Sequence, residues 1–200
     1  MSTPATQNMT DQVNNYIRNL AKSNEENKKL LRQAVATEVK QFKVKTEDNK
    51  TVKALVIYLP APFLRDHPAA TNKIVNEVQS KTNNYTFVVA KRTVVSKRSD
   101  YKQKIPKNRT LSDVCDQILA DLVAPGQIIG RRMRVRLNGT HLYKIHLNEN
   151  SREFLQDKVE VITQIYHALT NRKIAVEFKR EMNFARAPVV KRRRVKKKDK

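Results

Sequence analysis

The chain has 200 residues, 39% of them hydrophobic, and carries 41 Lys and Arg against 19 Asp and Glu, a formal net charge of +22. That size admits one ordinary domain with tails or two small ones, and the apolar content excludes a wholly disordered chain. A single cysteine, Cys115, excludes an intrachain disulfide and fits a reducing compartment. Met1 to Gln12 is polar, unlike a signal peptide, and the apolar run Ala54 to Leu59 is far too short for a bilayer span, so a soluble intracellular protein is expected.

Residues Met1 to Met9 show no periodicity and read as irregular. Thr10 to Ala21 reads as a short helix, with Val13, Ile17 and Leu20 on one stripe, and Glu25 to Val39 as a second, with Leu30, Leu31, Ala34, Val35 and Val39 at three-to-four spacing. The period then changes to two. Phe42, Val44 and Thr46 alternate with lysines, Glu47 to Lys50 is a polar turn, and Val52 to Leu59 is apolar enough for a strand buried on both faces. Pro60 and Pro62 end it, Ala69 to Lys81 reads as a helix, and Tyr85 to Ala90 as a β-branched and aromatic strand.

Lys91 to Arg109 is a long basic loop, and long loops inside a domain are usually functional. Thr110 to Val123 is a strongly striped helix. Thr110 and Asp113 have the spacing of a capping box, and Pro125-Gly126 is a stop. Met133 to Leu137 and His141 to Leu147 alternate about Asn138-Gly139, a pair suited to a type I′ hairpin turn with both residues at positive φ. A helix from Ser151 to Leu169, capped by Asn150 with Glu153 reaching back, and a strand from Lys173 to Phe178 complete the fold. No internal repeat is evident. The expectation is an α+β protein in which a mixed sheet built from hairpins packs with helices. Residues 1–38 form an irregular start and helical arm, 39–178 a single RNA-binding domain, and 179–200 a basic tail.

The charge is concentrated. Lys91 to Arg109 carries +7, Arg131 to Arg136 +4 and Lys179 to Lys200 +9, leaving +2 for the remaining 153 residues. A near-neutral globule with three basic devices points to a polyanion. On the hairpin, Arg132, Arg134 and Arg136 share a face, with Met133, Val135 and Leu137 expected to face the core. Arginine forks on a rigid strand suit phosphate contacts, and an ordinary solvated face would mix both signs. Candidate RNA-binding residues are Lys91, Arg92, Lys97, Arg98, Tyr101, Lys102, Lys104, Lys107 and Arg109 in the loop, with Tyr101 placed to stack on a base. Arg131, Arg132, Arg134 and Arg136 follow on the hairpin, and Lys191, Arg192, Arg193 and Arg194 in the tail, which also resembles a nuclear localisation signal. The expected helices are acidic or mixed, so no recognition helix for DNA stands out, and folded RNA is the better partner.

Nothing nominates catalysis or a cofactor. Three glycines make no phosphate loop. His67, His141, His146 and His167 form no metal-spaced cluster with Cys115, which lies on an apolar helix face. His141 and His146 read as solvated or RNA-facing on opposite strand faces. Asp113, Asp116 and Asp121 read as charge partners rather than a catalytic set.

Four blocks carry a resemblance: Val56 to Pro62 (VIYLPAP), Asn108 to Val114 (NRTLSDV), Ile118 to Gly139 (ILADLVAPGQIIGRRMRVRLNG) and Lys158 to Thr170 (KVEVITQIYHALT). In this order they resemble the eukaryote-specific small-subunit ribosomal protein number seven family, distinct from the bacterial protein with that number, over roughly Leu30 to Phe178. The resemblance implies a non-enzymatic α+β protein on the body and platform side of the small subunit, touching ribosomal RNA and neighbouring proteins. It also implies cytoplasmic ribosomes as the destination, with nucleolar passage, assembly factors and a part in subunit assembly and pre-ribosomal RNA processing. The family's basic loop corresponds to Lys91–Arg109 and its basic hairpin to Gly130–Leu137, whereas the tail lies beyond it. A free RNA- or DNA-binding regulator and a nucleic-acid enzyme are the competing readings; the latter would need clustered carboxylates or metal ligands.

Overall fold

Among the described residues the strands form two three-stranded sheets of one pattern. The computed structural model describes residues 4–23, 31, 34–45, 51–95 and 106–180. In the first sheet β1 (Glu38–Lys45) runs antiparallel to β2 (Thr51–Pro60), which runs parallel to β3 (Tyr85–Lys91). In the second, β4 (Ile128–Val135) runs antiparallel to β5 (His141–Asn148), which runs parallel to β6 (Lys173–Lys179). A parallel third strand demands a crossover connection. The first half supplies it with α2 (Ala61–Asp66) and α3 (Pro68–Thr82), the second with α5 (Arg152–Leu155) and α6 (Val159–Thr170). The chain is thus an α+β protein built as ββαβ twice, with α1 (Pro4–Ser23) before the first unit and α4 (Leu111–Val123) between them.

The two crossovers even end alike. Asn83 closes α3 at φ 50° and Asn171 closes α6 at φ 56°, both left-handed, and their N–H groups donate to Gln79 and His167 carbonyls. Asparagine tolerates this conformation better than most side chains. In each half the third strand starts two residues later, and Ala54 pairs with Tyr85 as Leu142 pairs with Lys173.

Burial sets the layers. As its unbroken apolar run required, β2 is buried on both faces. Leu55, Ile57 and Leu59 pack with Val13 and Ile17 of α1, Phe63 of α2, and Ile74 and Val78 of α3. Ala54 and Val56 pack with Leu119 and Leu122 of α4, Ile162 and Tyr166 of α6, and Ile145, Leu147 and Ile174 of the second sheet. The order is helices, first sheet, helices α4 and α6, second sheet. Among the described residues nothing covers the outer face of the second sheet.

Several local expectations change. The first helix starts at Pro4, not Thr10, with proline's fixed φ in its first turn. Ala34 to Thr37 is not helical, unlike the end of the helix expected to Val39, whose residues 25–30, 32 and 33 lie outside the described residues; Ala34 and Ala36 are buried while Val35 is 57% exposed. The Asn14 side chain accepts from Ala36 N–H and donates to Ala36 O, pairing α1 with this segment. The capping box does not form. Thr110 Oγ1 donates to Lys107 O, and Asp113 accepts from Gln117 instead. The helix expected over Ser151–Leu169 is broken into 3-10 turns at Glu149–Ser151 and Gln156–Lys158 around α5. Asn148, not Asn150, supplies the capping oxygen. The break seats Leu155 against Gly126, where a Cβ would lie 2.4 Å from Leu155 Cδ1.

Candidate nucleic-acid interface

The loop's base is pinned on both sides. Lys91 ends β3, and Val95 N–H donates to Arg109 O at 3.1 Å. Arg92 folds inward, where Asp121 of α4 takes both its terminal nitrogens and also accepts from Ala90 N–H at 2.9 Å. Arg92 is thereby committed to the protein. Lys107 and Arg109 form an exposed 3-10 turn. Lys97, Arg98, Tyr101, Lys102 and Lys104 lie outside the described residues, as do Lys191, Arg192, Arg193 and Arg194.

The hairpin differs from its expected form in two ways. Its turn is not type I′, since Asn138 is not at positive φ. Gly139 N–H donates to Arg136 O, Arg136 N–H donates to Thr140 O, and only Gly139 is left-handed, at φ 75°. This is a three-residue connection with a bulged glycine. Second, Met133 and Val135 are each 56% exposed and Leu137 is fully exposed. They do not face the core, because the hairpin runs past the last helix that could cover it. Arg131 lies on this same side and pairs with Asp116 of α4 at 2.9 Å. Arg132, Arg134 and Arg136 are exposed and make no ion pair among the described residues.

Register extends the arginine row into a wider basic surface. Arg132 pairs with Lys144 across the hairpin, Gly130 with His146, and His146 with Glu177 of β6. On this outer face Lys144 Nζ donates to Glu177 at 2.5 Å, and Lys179 Nζ stands 3.8 Å from the same carboxylate. The Lys144 hydrogen bond holds the Glu177 carboxyl below its ordinary range, helped by Lys179 and His146 against some desolvation. Burial pushes His146 below its ordinary value, and Lys179, Arg132 and Lys144 push the same way, outweighing Glu177. Of the two alternatives the sequence offered for His146, burial removes the solvated one. Lys144 and Lys179 were not singled out by sequence. Lys144 follows from hairpin alternation, but Lys179 comes alongside only through the parallel β5–β6 pairing.

The thiol and two carboxylates of α4 have structural roles. Cys115 is buried and burial raises its thiol pKa, the reverse of an activated nucleophile. Asp116 and Asp121 are ion-paired. Among the described residues no cluster of His, Cys, Asp or Glu could hold a metal, and no helix is long and apolar enough to cross a membrane.

The model of the family described as ribosomal protein S7e matches residues 2–178. The chain belongs to the ribosomal protein S7e family. The match takes in the N-terminal arm, which lies outside the four resembling blocks, and stops one residue before the end of β6. Relatives named small ribosomal subunit protein eS7 include one from Drosophila melanogaster, 38% identical over 63% of this chain and 68% of its own. Another, from Manduca sexta, is 34% identical over 78% and 83% respectively. The Saccharomyces cerevisiae protein eS7B is 30% identical over 66% and 71%. Membership in S7e makes this a structural ribosomal protein and not an enzyme.

Proposed function

We propose that the protein is a structural constituent of the small ribosomal subunit that binds ribosomal RNA through the outer face of its second sheet, the basic loop and the tail. The observation that carries this reading is that uncovered face. Arg132, Arg134, Arg136, Lys144 and Lys179 stand on it with Glu177 the one acid among them, whereas ordinary solvated surfaces mix both signs. The names of the eukaryotic relatives support the subunit assignment. Neighbouring subunit proteins are the partners for the opposite side of the hairpin, where exposed Met133, Val135 and Leu137 offer nothing to a phosphate. Residence on cytoplasmic ribosomes, nucleolar passage with assembly factors, and a part in subunit assembly and pre-ribosomal RNA processing complete the proposal.

Sedimentation of a host lysate tests it. Co-migration with small subunits and polysomes at moderate salt is expected, while recovery only at the top of the gradient would favour a free RNA-binding regulator. Changing Arg132, Arg134 and Arg136 together to Gln should leave the circular dichroism unchanged and weaken incorporation into subunits. For RNA binding by the purified chain, the same variant should flatten the salt dependence by up to about three in slope, roughly one for each phosphate no longer neutralised.

A further inference from the structure

Behind the arginine row the outer face is hollow. Arg132, Arg134, Lys144, Glu177 and Lys179 line a cleft of about 310 Å3 that also reaches the ring of His146. The His146 side chain is only 8% exposed, yet neither Nδ1 nor Nε2 has a hydrogen-bond partner. Buried polar atoms are almost always satisfied, so an orphaned imidazole bordering a cationic cleft points to a missing partner. Glu177 does not supply it, because Oε2 is 3.6 Å from Nδ1, beyond hydrogen-bond range, and Lys144 holds the carboxylate. Four cations surround one carboxylate, and Arg132 and Arg134 have no counter-ion among the described residues.

We propose that this cleft seats one backbone phosphate of RNA, held by Arg132, Arg134, Lys144 and Lys179, and that His146 takes up a proton when the phosphate arrives. The proposal rests on the reading of this face as an RNA surface and names its anchoring point. Three facts support it. Guanidinium forks match phosphate oxygens in pairs. Alternate strand residues stand roughly 7 Å apart on one face, so the long side chains of Arg132 and Arg134 can converge on one phosphate between them. Finally, the charged groups facing the ring from all three strands are Arg132 and Arg134 on β4, Lys144 on β5, and Glu177 and Lys179 on β6. Burial, and with it this cationic excess, holds the pKa of the free ring below its ordinary value. An incoming phosphate reverses the local balance. The imidazolium, protonated from solvent, then donates Nε2–H to the phosphate, while its charge faces the Glu177 carboxylate 3.6 Å from Nδ1.

The test is an NMR pH titration of the four histidine rings of the full chain, alone, with sodium sulfate, and with a ten-nucleotide oligouridylate. Diester phosphates and sulfate keep their charge between pH 5 and 8, so a changed midpoint reports the ring. With the oligonucleotide, the His146 midpoint should rise by roughly one pH unit, while that of His67, remote on the first half, should stay put. The rise should shrink in the Arg132→Gln/Arg134→Gln variant, whose exposed side chains leave the fold undisturbed. RNA that binds, by anisotropy of a labelled strand in the same sample, without moving the His146 midpoint would overturn the seat and leave the RNA reading standing. Absence of RNA binding would overturn both. A midpoint moved by sulfate but not by RNA would overturn the RNA assignment in favour of a free oxyanion.

Discussion

The two ββαβ halves share topology, register and even the residue type that ends their crossover helices, yet their equivalent faces lie in opposite surroundings. Ala54, Val56 and Tyr58 on β2 occupy the positions of Leu142, Lys144 and His146 on β5, counted from the pairing with the third strand. This is the side turned away from each unit's own crossover helix. In the first half α4 and α6 cover it, and Val56 is completely buried. In the second half nothing described covers it, and the same positions carry a lysine and a histidine beside a row of arginines. One fold unit thus serves as core when covered and presents a basic surface when left open. The difference lies in which residues point outward on a single strand.

The sharpest way to break this comparison is to exchange the equivalent residues. Val56→Lys places an unpaired ammonium between two apolar layers and should cost about 5 kcal/mol or more, a domain's whole stability, so urea denaturation should find it largely unfolded. Lys144→Val, the reverse exchange, removes a partly exposed ion pair and should leave the urea midpoint nearly unchanged while weakening RNA binding. Similar losses from both would show that the halves are not functionally distinct. Asp121→Asn comes next. It weakens a largely buried carboxylate that holds Arg92 and the Ala90 N–H together, and should cost about 2 kcal/mol in the same assay. A negligible loss would mean that the basic loop needs no fixed base.

Asn83→Ala and Asn171→Ala probe what the halves share. Each should cost about 1 kcal/mol for forcing alanine into left-handed backbone, with glycine at either position nearly neutral. Unequal costs would show that the two crossovers bear different loads. The smallest effect is a pH dependence confined to the second half. The folded pKa of His146 lies below the ordinary 6.5, so below that pH the unfolded chain binds more protons. Stability therefore falls as pH drops through the interval between the two values and recovers as pH rises. His146→Gln should flatten thermal stability across that interval, and an unchanged slope would place its origin elsewhere.

Where one local pattern dominated, the fold was legible in the sequence. The apolar run of β2 meant burial on both faces, the stripe of α4 meant a helix, and the alternation around Asn138-Gly139 meant a hairpin. The misreadings arose where tertiary contacts overrode local preference. Ala34 to Thr37 has helical spacing but is held by Asn14 and by the Thr37 N–H bond to Tyr58 O. The helix before β6 breaks so that Leu155 can meet Gly126. Met133 and Val135 alternate like core residues, but no helix extends far enough to cover them. The interface divided similarly. A row of arginines on one strand follows from alternation alone, whereas the inward turn of Arg92 required knowing where Asp121 lies.

By itself, the sequence determined that the chain is a basic α+β protein, that its positive charge sits in loop, hairpin and tail, and that no catalytic or metal-binding set is evident in its residue pattern. It did so because charge, period and turn residues are local properties. Only the tertiary structure decided that the unit occurs twice, that one sheet is covered while the other lies open, and that His146, Glu177 and Lys179 gather behind Arg132 and Arg134. Parallel pairing joins strands separated by a whole helix, and no short-range pattern specifies which residues it brings together.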